Sequence, residues 1–154
     1  MIVVSVVLVR AIVSGATLRD LAPDSVSAPF VSVSHTDGLS AIATCSARIG
    51  IDVELVRPRP FVDRLAARVM TAEEFGLWRE ATDPATAFAQ HWTRYEAYVK
   101  ALGVGIAAGY RARPGTGWSI IDLDLGPPHV GSLAVEADAP AIRCRWSTAP
   151  ATSG

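Results

Sequence analysis

Charge of either sign is scarce in this chain, and the two signs balance. Lysine and arginine together number 14 among 154 residues, aspartate and glutamate number 15, and the formal net charge at pH 7 is −1. No basic run is long enough to follow a phosphate backbone, so nucleic acid is excluded as an expected partner.

Cysteine is almost absent as well. The two cysteines, Cys45 and Cys144, lie far apart in the sequence and do not have the spacing of a metal site. We expect both to be small core residues in a protein of a reducing compartment, with a disulfide as the alternative.

The chain also lacks an apolar run long enough to span a membrane. Residues 1–13 are nearly all apolar, but Arg10 interrupts them, and no basic segment precedes them as in a signal peptide. We therefore expect a core element of a cytoplasmic protein without membrane contact. Over residues 2–14 the β-branched content favours a buried strand and the length favours a buried helix, and periodicity does not decide between them.

The sequence does contain enough apolar material for one dense core. Hydrophobic residues make up 50% of the chain, and the mean hydropathy is +0.30. We predict a single domain over residues 1–147, followed by a flexible tail over 148–154.

The order of strand and helix patterns predicts an α+β fold with an antiparallel sheet packed against helices. Residues 15–29 are rich in turn formers and are predicted to be a connecting loop with at most one short turn. Strand patterns cover 30–34, 39–45, 48–55, 117–124, 130–136 and 141–147. Helix patterns cover 61–69, 71–80 and 83–102.

The second and third predicted helices have recognisable ends. Thr71 followed by Glu74 is the pattern of a capping box. Asp83 and Pro84 form a typical first turn, and Gly103 is a typical stop. These local signals predict both limits of the long helix.

Two acidic residues share one face of the predicted strand over 48–55. Asp52 and Glu54 are separated by one residue, and apolar side chains fill the alternate positions. Two neighbouring carboxylates repel each other unless a positive charge lies between them. A divalent cation is a simple way to supply that charge.

A third acid lies on the predicted long helix. Glu96 precedes Lys100 by four residues, so the two side chains share a helix face. An acidic strand face together with a helical glutamate and lysine is a plausible means of holding Mg²⁺ against a phosphate and moving a proton.

The motifs occur in a familiar order: VSVSHTDG at 31–38, GIDVE at 50–54, RVMTAEEF at 68–75 and WTRYEAYVKALGVGI at 92–106. This order resembles the 4′-phosphopantetheinyl transferases, specifically the surfactin-synthetase type with a shortened N-terminal half. The resemblance covers nearly the whole chain and implies that family's fold. It also implies a helix over 2–14, which we therefore expect in preference to a strand.

The resemblance implies an activity. Such enzymes transfer the phosphopantetheine arm of coenzyme A to a serine of an acyl or peptidyl carrier protein and release 3′,5′-ADP. Matched motif by motif, Asp52, Glu54 and Glu96 would hold Mg²⁺.

The remaining site residues follow from the same match. Glu96 would be the general base toward the incoming serine, and Lys100 would contact the phosphates of coenzyme A. Ser34 and His35 would lie near the 3′-phosphate of the nucleotide.

The chain departs from the family pattern on the nucleotide side. The family helix usually has lysine directly before the glutamate, where this sequence has Tyr95. The loop before residue 31 lacks the family's Gly-Lys-Pro, and most of the first lobe is missing.

Two expectations follow from the reduced lobe. Another copy of the chain would complete the cleft, as in the short trimeric holo-acyl-carrier-protein synthases, so we expect a dimer or trimer. The alternative is a repurposed or inactive member of the fold. It would act as a carrier-protein binding module, or as a biosynthetic-pathway enzyme with different acid–base chemistry.

Overall fold

The computed structural model describes residues 1–22, 27–105 and 112–148. The strands are β1 (Val3–Val9), β2 (Phe30–Thr36), β3 (Leu39–Cys45), β4 (Ile49–Leu55), β5 (Ser119–Leu123), β6 (His129–Val135) and β7 (Ala141–Ser147). The helices are α1 (Gly15–Leu21), α2 (Val62–Val69), α3 (Ala72–Arg79) and α4 (Pro84–Leu102).

The strands form two sheets. The first has the order β2-β3-β1-β7 and the second has the order β4-β6-β5. All pairings are antiparallel except that of β1 with β7. Because α4 packs on β4 and β6, the predicted α+β class with helices on antiparallel sheets is confirmed.

The main core lies between the two sheets. It includes Val6 and Leu8 of β1, Ile51 and Val53 of β4, and Leu133 of β6, all almost completely buried. These residues alternate along their strands, which is the pattern of strands with one face on the core.

The facing edges of the sheets are joined by side-chain hydroxyl groups. Ser32, Ser34 and Thr36 of β2 accept hydrogen bonds from the backbone amides of Ile51, Val53 and Leu55 at 3.0, 3.2 and 3.1 Å. These bonds satisfy donors on the free edge of β4, which would otherwise be unpaired. The junction places Ser34 beside Asp52.

The helix predicted over residues 2–14 is wrong. Val3–Val9 is a strand between β3 and β7. The run VVSVVLV is mostly β-branched, and such residues lose side-chain freedom in a helix but pack well on a sheet. The loop predicted over residues 15–29 is wrong in part, because Gly15–Leu21 is a helix capped by Ser14.

The predicted limits of the later helices are confirmed. Thr71 and Glu74 form both hydrogen bonds of a capping box at the start of α3. Asp83 caps α4, Pro84 lies in its first turn, and Gly103 ends it with a left-handed φ of 70°. The length of α4 carries it across the second sheet.

The cysteines, the membrane and the C-terminal tail are the subjects of three further expectations. Cys45 is buried as expected, whereas Cys144 is exposed on β7, and both are free thiols. None of the helices in the described ranges has the length and apolar character needed to cross a membrane. Residues 149–154 of the predicted tail lie outside the described residues.

Candidate active site

Strand β4 presents two carboxylates on the face opposite the main core. Ile51 and Val53 face the core between the sheets, so Asp52 and Glu54 project to the other side, as predicted. Asp52 is 6% exposed. Its register partner on β6 is Ser132, which is also buried on this face.

Helix α4 lies directly against this face because β4 has a glycine at the crossing. A Cβ atom added to Gly50 would lie 1.9 Å from the carbonyl oxygen of Ala97 and 2.7 Å from the amide nitrogen of Ala101. Glu96 and Lys100 flank this contact on α4. The close approach therefore brings the helical glutamate and lysine next to the acids of β4.

Asp52 is bound by two residues that the sequence motifs assign to the site. Lys100 Nζ lies 2.8 Å from Asp52 Oδ1, and Ser34 Oγ donates a hydrogen bond of 3.0 Å to the same oxygen. Lys100 Nζ also donates to Ser34 Oγ and to the carbonyl oxygen of Ile51, both at 3.2 Å. Lys100 is the chain's single lysine.

Glu54 has a different partner. Its Oε2 lies 2.8 Å from Nη2 of Arg59, and the two side chains are 19% and 24% exposed. Arg59 follows β4 in the segment Arg57-Pro58-Arg59-Pro60, which lies beyond the predicted strand over 48–55. The ion pair between Glu54 and Arg59 was not predicted, because the local sequence does not show which side chain the guanidinium of Arg59 contacts.

Two buried carboxylate oxygens have no hydrogen-bond partner among the described residues. They are Asp52 Oδ2 and Glu96 Oε1. Leaving a buried anionic oxygen without a donor or a cation is energetically unfavourable. The site therefore has unsatisfied capacity to bind a positive ligand.

Burial raises the pKa of both carboxyl groups. For Asp52 burial is the larger effect, and the Lys100 ammonium opposes it. For Glu96 burial also comes first, and the negative charge of Asp52 raises the pKa further, whereas Lys100 lowers it. Glu54 contributes repulsion to both, which shows that the three acids act on a common region.

The donor set suits a hard divalent cation. Carboxylate oxygens are the protein ligands that Mg²⁺ prefers, and the partnerless oxygens of Asp52 and Glu96 are available to one. In the described ranges, the side chains do not form a ready-made group of three or more metal ligands. Asp52 and Glu54 are instead paired with Lys100 and Arg59.

The structure brings together most of the predicted site residues, but not His35. Asp52, Glu96, Lys100 and Ser34 are neighbours, and Glu54 lies beside them. His35 is exposed, and as the neighbour of Ser34 on β2 its side chain points to the opposite face of the strand.

A polar network beneath α4 was not predicted from the sequence. Thr93 and Ser132 share a hydrogen bond of 2.9 Å between their hydroxyl groups. Gln90 Nε2 donates to Ser132 Oγ at 3.0 Å and to Asp122 Oδ1 at 2.9 Å. Arg94 forms an ion pair with Asp122. Its residues come from α4, β5 and β6, so only the pairing of the strands reveals it.

Tyr95 belongs to the hydrophobic cluster of the helical layer. It is 5% exposed and packs against Trp92, with ring centroids 5.7 Å apart. Trp92 in turn stacks on Phe88 at 6.0 Å, and this aromatic series continues to Trp78 of α3. The phenol is thus a core side chain of the helical layer.

The family model of the 4′-phosphopantetheinyl transferase superfamily matches residues 48–150. The 4′-phosphopantetheinyl transferase HetI of Nostoc sp. is 40% identical over 78 residues, which are 49% of this chain and 33% of that protein. A relative from Synechocystis sp. is 33% identical over 85 residues, covering 53% of this chain and 34% of its own length.

A solved structure is similar to part of the chain. Holo-[acyl-carrier-protein] synthase of Thermotoga maritima aligns with a TM-score of 0.41 and 19% identity, over 58% of this chain and 62% of that one. The chain spans about a third of the length of the curated relatives that it matches. The family match includes β4 and α4, which carry Asp52, Glu54, Glu96 and Lys100. The chain belongs to the 4′-phosphopantetheinyl transferase superfamily.

Proposed function

We propose that the chain transfers 4′-phosphopantetheine from coenzyme A to a serine of an acyl or peptidyl carrier protein, with Mg²⁺ as cofactor. Family membership supports the type of reaction. The observation that carries the proposal is the pair of buried carboxylate oxygens without partners, Asp52 Oδ2 and Glu96 Oε1, close to the ammonium group of Lys100. An anionic site beside one lysine suits a metal-bound diphosphate.

Asp52, Glu54 and Glu96 are the proposed ligands of the metal. When bound, Mg²⁺ would neutralise charge that develops on the leaving diphosphate. Lys100 would supply a second positive charge, since its side chain is 33% exposed while its ammonium group contacts Asp52. Ser34, placed by the junction between the sheets, would contact the nucleotide of coenzyme A, whereas the exposed His35 points to the opposite face of β2 and is not assigned to that contact.

Glu96 is the proposed general base. Before a metal ion binds, burial and the charge of Asp52 raise the pKa of Glu96, which favours acceptance of a proton. It would accept the proton of the carrier serine while that hydroxyl oxygen bonds to the phosphorus of the phosphopantetheine arm. The bond from that phosphorus to the bridging oxygen breaks in the same step, and 3′,5′-ADP leaves with this oxygen.

Mass spectrometry of a carrier protein tests the proposal. The chain is incubated with coenzyme A, Mg²⁺ and a panel of apo carrier proteins, and we expect one carrier to gain a single phosphopantetheine group. Glu96→Gln should lower the rate by about 10²-fold or more. Glu73→Gln, which changes an exposed acid of α3, is the matched control and should leave the rate unchanged. No mass gain on any carrier from folded protein contradicts the proposal.

We further propose that the protein works in the cytoplasm as a homodimer or homotrimer. The 50% hydrophobic content supports a buried contact between subunits. Light scattering on the purified chain would give the mass of the assembly, and a monomer at working concentration contradicts the oligomer.

Tyr95 favours a second candidate function, a carrier-protein binding module that does not use coenzyme A. The resemblance implies a lysine at this position, and the structure has a buried phenol in its place. Calorimetry with coenzyme A and Mg²⁺ separates the two functions. Tight binding that requires Mg²⁺ supports the transferase, whereas carrier binding without coenzyme A binding supports the module.

A further inference from the structure

Arg59 contacts the candidate metal site through Glu54, the acid that Lys100 does not pair with. Its guanidinium is paired with Glu54 at 2.8 Å, and the ionised group also acts on Glu96, lowering its pKa. Lys100 is paired with Asp52 in the same way. Two fixed cations therefore already neutralise part of the charge of three carboxylates.

The position of Arg59 is supported by its surroundings. Its guanidinium carbon lies 5.9 Å from the ring centroids of both Phe88 and Trp92 on α4, within range of a cation–π contact. Pro58 and Pro60 flank it and restrict the backbone on each side. Glu54 is thus held by a cation that has contacts of its own.

We propose that Arg59 is an internal counter-ion that competes with the divalent cation for Glu54, and so sets the affinity of the site for metal. This inference rests on the proposed function, because it assumes that the acids bind a divalent cation. A guanidinium remains protonated at every physiological pH, so the pair is broken only by movement of a side chain. A metal ion that takes the paired oxygen of Glu54 must therefore displace the Arg59 guanidinium, which weakens the observed affinity.

Competition accounts for a contrast in the structure. Asp52 and Glu96 keep free buried oxygens, yet the described residues do not form a group of three metal ligands. Glu54 is the predicted third ligand, and its ion pair with Arg59 occupies one of its carboxylate oxygens. Removing the guanidinium should leave Glu54 free to join the other two acids.

Mn²⁺ titration followed by electron paramagnetic resonance tests the inference without any turnover. The signal of free Mn²⁺ is lost when the ion binds, so the dissociation constant is read directly. Arg59→Met should bind Mn²⁺ roughly 3- to 30-fold more tightly than the unmodified chain, the factor expected for loss of one partly buried ion pair. Arg59→Lys keeps the charge but weakens the paired geometry, so it should give an intermediate constant.

Arg57→Met is the matched control. Arg57 has the same side chain and also precedes a proline, but it is exposed and its ion pair is with Asp37 at 3.3 Å. This variant should bind Mn²⁺ like the unmodified chain. Circular dichroism confirms that each variant is folded, and Arg59→Lys serves if Arg59→Met does not fold.

The outcomes separate this inference from the proposed function. Equal Mn²⁺ affinity in all variants overturns the counter-ion role but leaves the metal site intact. Weaker binding by folded Arg59→Met also overturns it and makes Arg59 a supporting residue of the site. If no form binds Mn²⁺, the proposed metal site fails, and the inference fails with it.

Discussion

Thr93 of α4 and Ser132 of β6 share a hydrogen bond of 2.9 Å between two fully buried hydroxyl groups. Ser132 is the register partner of Asp52, and Thr93 precedes Glu96 by three residues on the same helix. The bond therefore joins the sheet that carries one acid to the helix that carries another. It helps to fix the position of Glu96 relative to Asp52.

Thr93→Val tests this bond. Valine fills nearly the same volume but leaves the Ser132 hydroxyl without one of its partners, so the free energy of unfolding should fall by ~1–3 kcal/mol. Urea denaturation measures the change. Thr93→Ser keeps the hydroxyl and should be closer to the unmodified chain, and equal stability of the two variants would mean that the bond contributes nothing.

Gly50→Ala should be far more harmful than its size suggests. The new methyl group would meet the backbone of Ala97 at 1.9 Å, and backbone cannot move away as a side-chain tip can. We expect a loss of about 3 kcal/mol or more in the free energy of unfolding.

Gly76→Ala is the natural control for the Gly50 variant. Gly76 is exposed within α3, and a Cβ added there meets nothing within 4 Å. Alanine should stabilise this helix by roughly 0.5–1 kcal/mol. If α4 packs on β4 as described, thermal unfolding should show a lower melting temperature for Gly50→Ala and a higher one for Gly76→Ala. A mild effect at Gly50 contradicts that packing.

Mg²⁺ should stabilise the folded chain through Asp52 and Glu96. A ligand that binds only the folded state adds roughly 2.7 kcal/mol at one hundred times its dissociation constant. Asp52→Asn should abolish the rise in melting temperature produced by Mg²⁺, whereas Asp124→Asn, an exposed acid beyond β5, should retain it. The comparison is of each variant with and without Mg²⁺, so any change in basal stability cancels. If Mg²⁺ still raises the melting temperature of Asp52→Asn, the metal binds elsewhere.

His91 should make the fold sensitive to mild acid. Burial lowers the pKa of His91 below the ordinary value of 6.5, and the charges of Arg113 and Arg94 lower it further. The hydrogen bond to the carbonyl of Val69 and the charge of Glu74 oppose this shift. The unfolded chain then binds the proton more tightly than the folded chain. The stability that the neutral ring contributes is fully present above the pKa of His91 in the unfolded chain, and it is lost as the pH falls below that pKa.

His91→Gln should therefore reduce the loss of stability between about pH 7 and pH 5. Denaturant unfolding at several pH values measures the slope. His35→Gln, which replaces an exposed ring, is the control and should leave the slope as it is. Identical slopes for the His91 variant and the unmodified chain would show that another group is responsible.

Short-range patterns in the sequence were enough to predict much of the fold. Caps and stops gave the ends of α3 and α4, because the residues that satisfy helix termini lie within a turn of them. Alternation along β4 placed Asp52 and Glu54 on one face. The β-branched composition of the N-terminal run favoured a strand, and the prediction was wrong because the family resemblance was followed instead.

Other features depend on contacts between distant residues. Arg59 reaches Glu54 only because the chain turns back after β4, and Ser132 meets Thr93 only because β6 pairs with β4. Cys144 is exposed on β7, an edge strand of the first sheet. Spacing along the chain does not contain this information, so such partners emerge only from the folded arrangement.

The joint between β2 and β4 has an evolutionary consequence. Ordinary strand pairing uses peptide groups, which every replacement other than proline preserves, so it tolerates sequence drift. Here three hydroxyl-bearing side chains make the connection, and one of them, Ser34, also holds Asp52. Ser34 is thus under selection for two reasons: it positions Asp52, and it helps to hold the two sheets together.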